Sequence, residues 1–209
     1  MNHDRRDLLR DTAIDVLAEA GGRGLTHRAV DTAAGVPSGT TKNYFPTRDA
    51  LLGAVAERCA EQYRMVAEHI AASGPGPSDR EGLVAMLAGL LENVAGPGRP
   101  RMLAYLELQT EATRRTWLSA ILDPISAADF TAFEHAQRAA GLPVTPQRSA
   151  AVTLALHGAI PHLLGAGPDT LAAAGLDNLD RFVRGRRGPG APVRPPQAPR
   201  GPPAPRFPG

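Results

Sequence analysis

Ser38, Gly39, Thr40, Lys42 and Asn43 fall within one six-residue run. Their chemistry is recognition by hydrogen bonding: hydroxyls on short stems, a carboxamide, an ammonium group and one residue with no side chain. On one exposed turn of helix, such groups suit the base edges of a major groove, and Lys42 is the best donor for a guanine edge. Arg28 lies close enough in sequence to join them. Thr26, His27, Tyr44 and Arg48 flank the run with groups suited to phosphate oxygens, which set register rather than sequence preference. Gly39 costs helix stability; close approach of a nucleic acid gives one reason for it, an irregular turn another.

The elements that must position these groups are short. The Thr26 hydroxyl predicts a helix over about Thr26 to Ala34, with Ala29, Val30 and Ala33 facing inward, and Gly35 supplies a left-handed C-cap. Val36 anchors the chain after the turn. A second helix over about Ser38 to Tyr44 turns Thr41 and Phe45 inward and Ser38, Gly39, Lys42 and Asn43 outward. Two short helices across a glycine turn are the layout of a helix-turn-helix. Before it, a helix over about Arg5 to Ala20 carries Leu9, Ala13, Val16, Leu17 and Ala20 on one stripe and stops at Gly21-Gly22. After Pro46, Thr47 caps a long helix to about Ala72, with Leu52, Val55, Cys59, Tyr63, Val66 and Ile70 recurring at helical steps.

This block resembles the N-terminal domain of the TetR family of bacterial transcriptional regulators, whose pattern runs G-x-x-x-T-h-x-x-I-A-x-x-A-G-V-S-x-G-T-h-Y-x-Y-F-x-x-K-x-x-L, with h apolar. The chain carries it at Gly21 or Gly22, Thr26, Ala33, Ala34, Gly35, Val36, Gly39, Thr40, Tyr44, Phe45, Arg48 and Leu51. Pro37 replaces a capping Ser, Thr41 an apolar residue and Lys42 a common Tyr. Pro37 offers no side-chain cap, so the second helix is expected to start at Ser38. The resemblance implies a ligand-responsive repressor that binds a palindromic operator as a homodimer and is released by a small molecule.

Downstream, Ser73-Gly74-Pro75-Gly76-Pro77 is a break. Ser78 with Glu81 reads as a capping box for a helix bearing Leu83, Met86, Leu87, Leu90, Leu91 and Val94. Beyond Gly96-Pro97-Gly98, helices are predicted over about Arg101 to Thr113 and Arg114 to Ala140, with Pro124 either kinking the second or opening a new one. Thr145 and Pro146 open another to about Leu164, and Leu171, Leu176, Leu179, Phe182 and Val183 outline a last short one. No strand pattern, P-loop or GxGxxG occurs, so the expected class is all-α with about nine helices. The expected divisions are residues 1–48 as the helix-turn-helix domain, 49–184 as a ligand-binding and dimerisation bundle, and 185–209 as a Pro/Arg-rich tail. The tail holds nine prolines and five Arg residues and reads as disordered. It is either a phosphate-binding arm or a solvated extension.

The 209 residues, 43% apolar, suffice for a core. The three divisions at 48/49 and 180/181 carry 7 basic against 6 acidic, 9 against 15, and 7 against none, so the excess basic charge resides in the tail. With no apolar membrane run or signal core, a cytoplasmic protein is expected. The single cysteine, Cys59, excludes an intrachain disulfide and reads as a core residue rather than a thiol sensor. No catalytic order of nucleophile and base stands out, so neither an enzyme nor a cofactor is expected. Glu107 and Glu111 read as a solvated face. His157 and His162 lie about 140° apart around a helix and share no metal face.

The resemblance assigns dimerisation to the last long helices, where Ala155, Gly158 and Ala159 allow close packing and Leu156, Ile160, Leu163 and Leu164 supply apolar area. It assigns a pocket for a partly apolar effector to the central ones. Candidate lining residues are Met86, Leu90, Met102, Tyr105, Leu106, Gln109, Trp117, Ile121, Phe130, Phe133 and His157, with Trp117 foremost; core packing explains the same residues. Two other classes fit parts of the sequence: a helical small-molecule-binding protein that has lost specific DNA binding, and an architectural DNA binder acting through its tail.

Overall fold

The computed structural model describes residues 2–72, 74 and 76–185. Helix α1 (Asn2–Gly24) is broken at Gly21, where φ is 65° and ψ −178°. Leu9, Ala13, Ile14 and Leu17 are buried along it as the stripe requires. Ala20 is exposed instead, because the chain turns at the glycine that follows. Helices α2 (His27–Ala33) and α3 (Thr40–Tyr44) follow, then α4 (Arg48–Ala72). Thr26 and Thr47 cap α2 and α4 as expected, accepting from the amides of Ala29 at 3.1 Å and Ala50 at 3.0 Å.

Helix α5 (Arg80–Ala95) corrects the expected capping box. Asp79, with extended backbone, accepts from the Gly82 amide at 2.8 Å, one residue after Ser78, and Glu81 pairs with Arg184. Helix α6 (Arg99–Ala112) begins two residues early, with Pro100 in its first turn. Helix α7 (Thr116–Ala139) runs through Pro124 without a new start. Helix α8 (Pro146–Gly165) is capped by Thr145. The expected last helix is two, α9 (Pro168–Ala174) and α10 (Leu179–Arg184), divided where Gly175 turns left-handed at φ 73°. All ten elements among the described residues are helices. Residues 186–209, nearly all of the predicted tail, lie outside them, as do Ser73 and Pro75 of the predicted break.

Two apolar cores organise these helices. One joins Leu9, Ala13 and Leu17 of α1, Val30 of α2, Phe45, and Leu51, Leu52 and Val55 of α4 to Ala104 and Leu108 of α6 and Leu118 and Leu122 of α7. The N-terminal helices therefore share their interior with the body of the molecule. The other gathers Leu83, Leu87 and Leu91 of α5, Ala140 and Leu156, with Phe133, Phe182 and Val183 packed against it.

Polar ties reinforce the first core. Arg10, nearly buried, donates to the Ala54 carbonyl and pairs with Glu61 at 2.7 Å, and Arg58 grips Asp11 through two bonds of 2.7 and 2.8 Å. Arg10 and Asp11 of α1 thus bind it to α4. On α4, Val66 and Ile70 are exposed, contrary to the predicted stripe. The helix presents Tyr63, Arg64, Ala67 and Glu68 to the groove beside α7 instead.

Candidate nucleic-acid interface and effector cavities

The α2–α3 corner forms much as the residues predict, with one correction and one addition: Ala33, expected to face inward, is exposed, because the inner face of α2 runs through Val30, Asp31 and Ala34. Gly35 is left-handed at φ 63°, Val36 is half-buried, and Thr41 and Phe45 are sealed at 0% and 2% exposure. Helix α3 starts at Thr40 rather than Ser38, with Gly39 as its N-cap at φ 91°. Ser38, Lys42 and Asn43 are exposed along its outer side, and Gly39 and Thr40 are half-exposed. A Cβ at Gly39 would meet nothing within 4 Å, so the left-handed backbone, not crowding inside the protein, calls for glycine there.

The addition is Asp31. The family pattern has Ala at this position, and Asp31 sits 3% exposed beneath the turn. Its carboxylate accepts from the Gly39 amide at 2.7 Å, the Thr41 amide at 2.7 Å and the Thr41 hydroxyl at 2.6 Å. Burial pushes its pKa up, but the bonds from Thr41 and Gly39, with His27 nearby, carry it below the ordinary carboxylate value. Pro37 removes the usual side-chain cap, and Asp31 supplies one from the preceding helix. A polar residue at position 31 and another at 41 were the available signal, but nothing in their spacing showed that they meet.

The flanking candidates are partly engaged within the protein. Thr26 caps α2; His27 Nε2 donates to the Phe45 carbonyl at 2.6 Å; and the Thr40 hydroxyl donates to the Pro37 carbonyl at 2.6 Å. Arg48 donates to the carbonyls of Leu25, at 2.6 Å, and Gly22. Arg28 is exposed on α2, and Tyr44 is half-buried beside Phe45, over whose ring Arg6 lies at 4.9 Å. The Gly22 amide in turn donates to Glu107 at 3.0 Å, and Glu111 pairs with Arg115, which also reaches Asp49. Glu107 thus ties α6 to the elbow where α1 breaks at Gly21-Gly22, and Glu111 reaches α4 only through Arg115; neither is the solvated face expected.

In the body, a groove of about 440 Å³ between α4 and α7 is lined mostly by apolar side chains, among them Ala60, Ala67, Ile121, Pro124 and Ile125. Tyr63 lines it and also an inner cavity of about 60 Å³ with Cys59, Arg101, Met102, Tyr105 and Asp129. There Tyr63 donates to Asp129, whose other oxygen meets His157 Nε2 at 3.1 Å, while Tyr105 bonds Ser126 at 3.1 Å. Burial foremost, then the Asp129 carboxylate, raises the Tyr63 pKa, and burial pushes the Cys59 thiol up to about 12, which makes it an unreactive core group at neutral pH.

The predicted pocket residues divide accordingly. Met102, Tyr105 and Ile121 line these spaces, and Phe130 lines a separate one of about 400 Å³ between α7 and α8, its ring edge-on to His157. Met86, Leu90 and Phe133 pack on the second core. Leu106 and Gln109 are half-buried on α6. Trp117 is 38% exposed and lies against Gly53 of α4, and it lines none of these cavities. Tyr63, Arg101 and Asp129 are among the lining groups that the sequence did not point to. On α8, Leu156, Ala159 and Leu164 are buried in the subunit, whereas Ala155 and Gly158 are exposed on the same helix as Leu154, itself 60% exposed.

An N-terminal helix-turn-helix on an all-helical body with cavities between its helices defines a class, the one-component helix-turn-helix transcriptional regulator. Residues 78–185 match the family described as Tetracyclin repressor-like, C-terminal domain. The chain belongs to the TetR family of transcriptional regulators. Among solved structures, a regulator assigned to that family from Rhodococcus sp. shares 25% identity over 86% of this chain and 98% of its own, with a TM-score of 0.62. A TetR-family member from Streptomyces coelicolor A3 shares 29% over 87% and 94%, with a TM-score of 0.59. The multidrug binding protein EbrR, complexed with ethidium, shares 30% over 84% and 98%, with a TM-score of 0.58. No curated protein matches the sequence. No helix among the described residues is long and apolar enough to cross a membrane.

Proposed function

We propose that the protein is a homodimeric repressor that binds a palindromic operator and is released by a small, partly apolar effector. The observation that carries this reading is the two-sidedness of α3: Thr41 and Phe45 are sealed inward while Ser38, Lys42 and Asn43 stand in solvent. Ser38, Gly39, Thr40, Lys42 and Asn43 read or approach bases, with Arg28 joining from α2. Thr26, His27, Tyr44 and Arg48 hold phosphates; Arg48 does so while tethered to the Gly22 and Leu25 carbonyls, which makes it a stiff contact. The exposed Leu154, Ala155 and Gly158 of α8 form part of the twofold interface.

The effector enters the α4–α7 groove, whose volume suits a drug-sized molecule. EbrR, complexed with imidazole in one structure and with ethidium in another, supports a small-molecule effector, and the apolar lining of the groove supports its placement there. Helix α4 begins at Arg48, on the elbow behind the reader, and reaches Tyr63 at the cavity about 22 Å away along its axis. A ligand that tilts α4 changes the separation of the two readers, so that they no longer match successive major grooves about 34 to 36 Å apart.

Selection of bound fragments from random or genomic DNA with the purified full chain tests the reading. A palindrome is expected, bound with a Kd of about 10⁻⁸ to 10⁻¹¹ M that weakens steeply with salt. Recovery of unrelated sequences bound only at low salt would refute it.

A further inference from the structure

We propose that Asp31 sets operator discrimination without reaching DNA, by fixing the first turn of α3 from beneath. The inference rests on the operator-binding reading above and adds a residue to it. Helix α3 has only five residues, too few to be stable alone, so its direction is imposed from outside. Its N-terminal turn is held at Asp31 by three bonds of 2.6 to 2.7 Å, two to main-chain amides. Its C-terminal end is held by His27, whose imidazole N–H meets the Phe45 carbonyl at 2.6 Å. His27 and Asp31 are four residues apart on α2 and so share a face. The anion meets the amides at one end of α3 and the imidazole meets the carbonyl at the other, which is also the sense the helix dipole favours.

The consequence for DNA reading follows from the kind of contact. Where the family pattern has Ala at position 31 and an apolar residue at 41, the two would touch by packing alone, which resists rolling only weakly. A buried carboxylate with three short bonds fixes direction as well as distance. The residues so fixed, Gly39 and Thr41, bracket Thr40 and follow Ser38, the part of α3 that approaches bases. Hydrogen bonds to base edges are directional, so a small roll of this turn changes which base is preferred while leaving phosphate contacts in place.

Asp31→Asn is the most direct test, because a carboxamide keeps the shape but must turn its NH₂ toward either the Gly39 or the Thr41 amide. Thr41→Val removes only the hydroxyl bond, and Thr41→Ser restores it. In full-length protein, the ratio of operator to random-sequence affinity is expected to fall about 10- to 100-fold in Asp31→Asn and less in Thr41→Val, with random-sequence affinity and salt slope unchanged, and to return in Thr41→Ser. Equal loss of operator and random-sequence binding would mean that Asp31 only keeps the domain folded. The double variant Asp31→Ala/Thr41→Leu guards against that ambiguity. It reinstates the apolar pair but leaves the Gly39 and Thr41 amides unpaired, so it is expected to melt below the wild type, bind random-sequence DNA normally while folded, and discriminate poorly; wild-type discrimination there would overturn the proposal. If the wild type itself selects no operator, the repressor reading fails. Hydrogen exchange still tests the clamp: Gly39 and Thr41 amides should both be protected in the wild type and one of them fast in Asp31→Asn, and fast exchange of both in the wild type would refute it.

Discussion

Two carboxylates, Asp31 in the reader and Asp129 in the body, are held in opposite ways. Asp31 is sealed, and its partners lie eight and ten residues away, two of them main-chain amides that cannot move without moving α3. Asp129 retains some exposure, and its partners are side chains 66 and 28 residues away on α4 and α8. The first arrangement fixes one geometry. The second spans three helices through side chains that can rotate, and it borders a cavity, so it suits a region whose helices must shift when something binds. A regulator needs both: a rigid reading edge and a yielding core.

The largest expected difference between them is energetic. Asp31→Ala leaves two buried donors on Thr41 and the half-buried Gly39 amide without an acceptor and should cost about 3 kcal/mol of stability, whereas Asp129→Ala should cost about 1 kcal/mol, because Tyr63 and His157 can turn to water. Urea unfolding of both variants measures this, and equal losses would erase the contrast. Next in size is an effect of acid. The folded-state pKa of Asp31 lies below the unfolded value of 3.8, so its contribution is complete above that value and is lost as pH falls through the folded pKa. Wild-type stability should therefore fall below about pH 4, and Asp31→Asn should flatten that part of the profile.

On DNA, Arg48→Ala should weaken binding to all sequences and reduce the salt slope by about 1, while Lys42→Ala should weaken operator binding by about 1 to 3 kcal/mol and relax base preference. Gel shifts across a salt series separate the two, and equal loss of discrimination in both would contradict the division of roles. The smallest effect belongs to Tyr63→Phe. It removes one hydrogen bond, costs about 1 kcal/mol in thermal unfolding, and leaves operator affinity unchanged in the absence of effector. A large loss of DNA affinity there would show that the cavity is as rigidly coupled as the reader.

Much of the reader was legible because its rules are local. Thr26, Thr47 and Thr145 cap where their types and neighbours place them, Gly35 takes the left-handed turn, and Thr41 and Phe45 face inward at four-residue spacing. Where local rules offered two answers, they failed in understandable ways. Ser78 and Asp79 both make good caps, and the pairing of Glu81 with Arg184, 103 residues away, removed the reciprocal half of the expected box. The cavity was less legible still. Tyr63 matched a core stripe, Asp129 matched nothing, and Trp117 had the composition of a pocket residue but lies on Gly53.

By itself the sequence determined an all-α class, several of its helix caps and breaks, and a helix-turn-helix with a particular outward face. Capping, periodicity and glycine conformation act over a few residues and leave their mark there. Only the tertiary structure decided that Asp31 caps α3, that Glu107 ties α6 to the elbow at Gly22, and that Tyr63 and Asp129 meet at a cavity. Each of these joins groups that different helices bring together, so it depends on how amphipathic faces stack, and residue spacing along one chain does not encode that stacking.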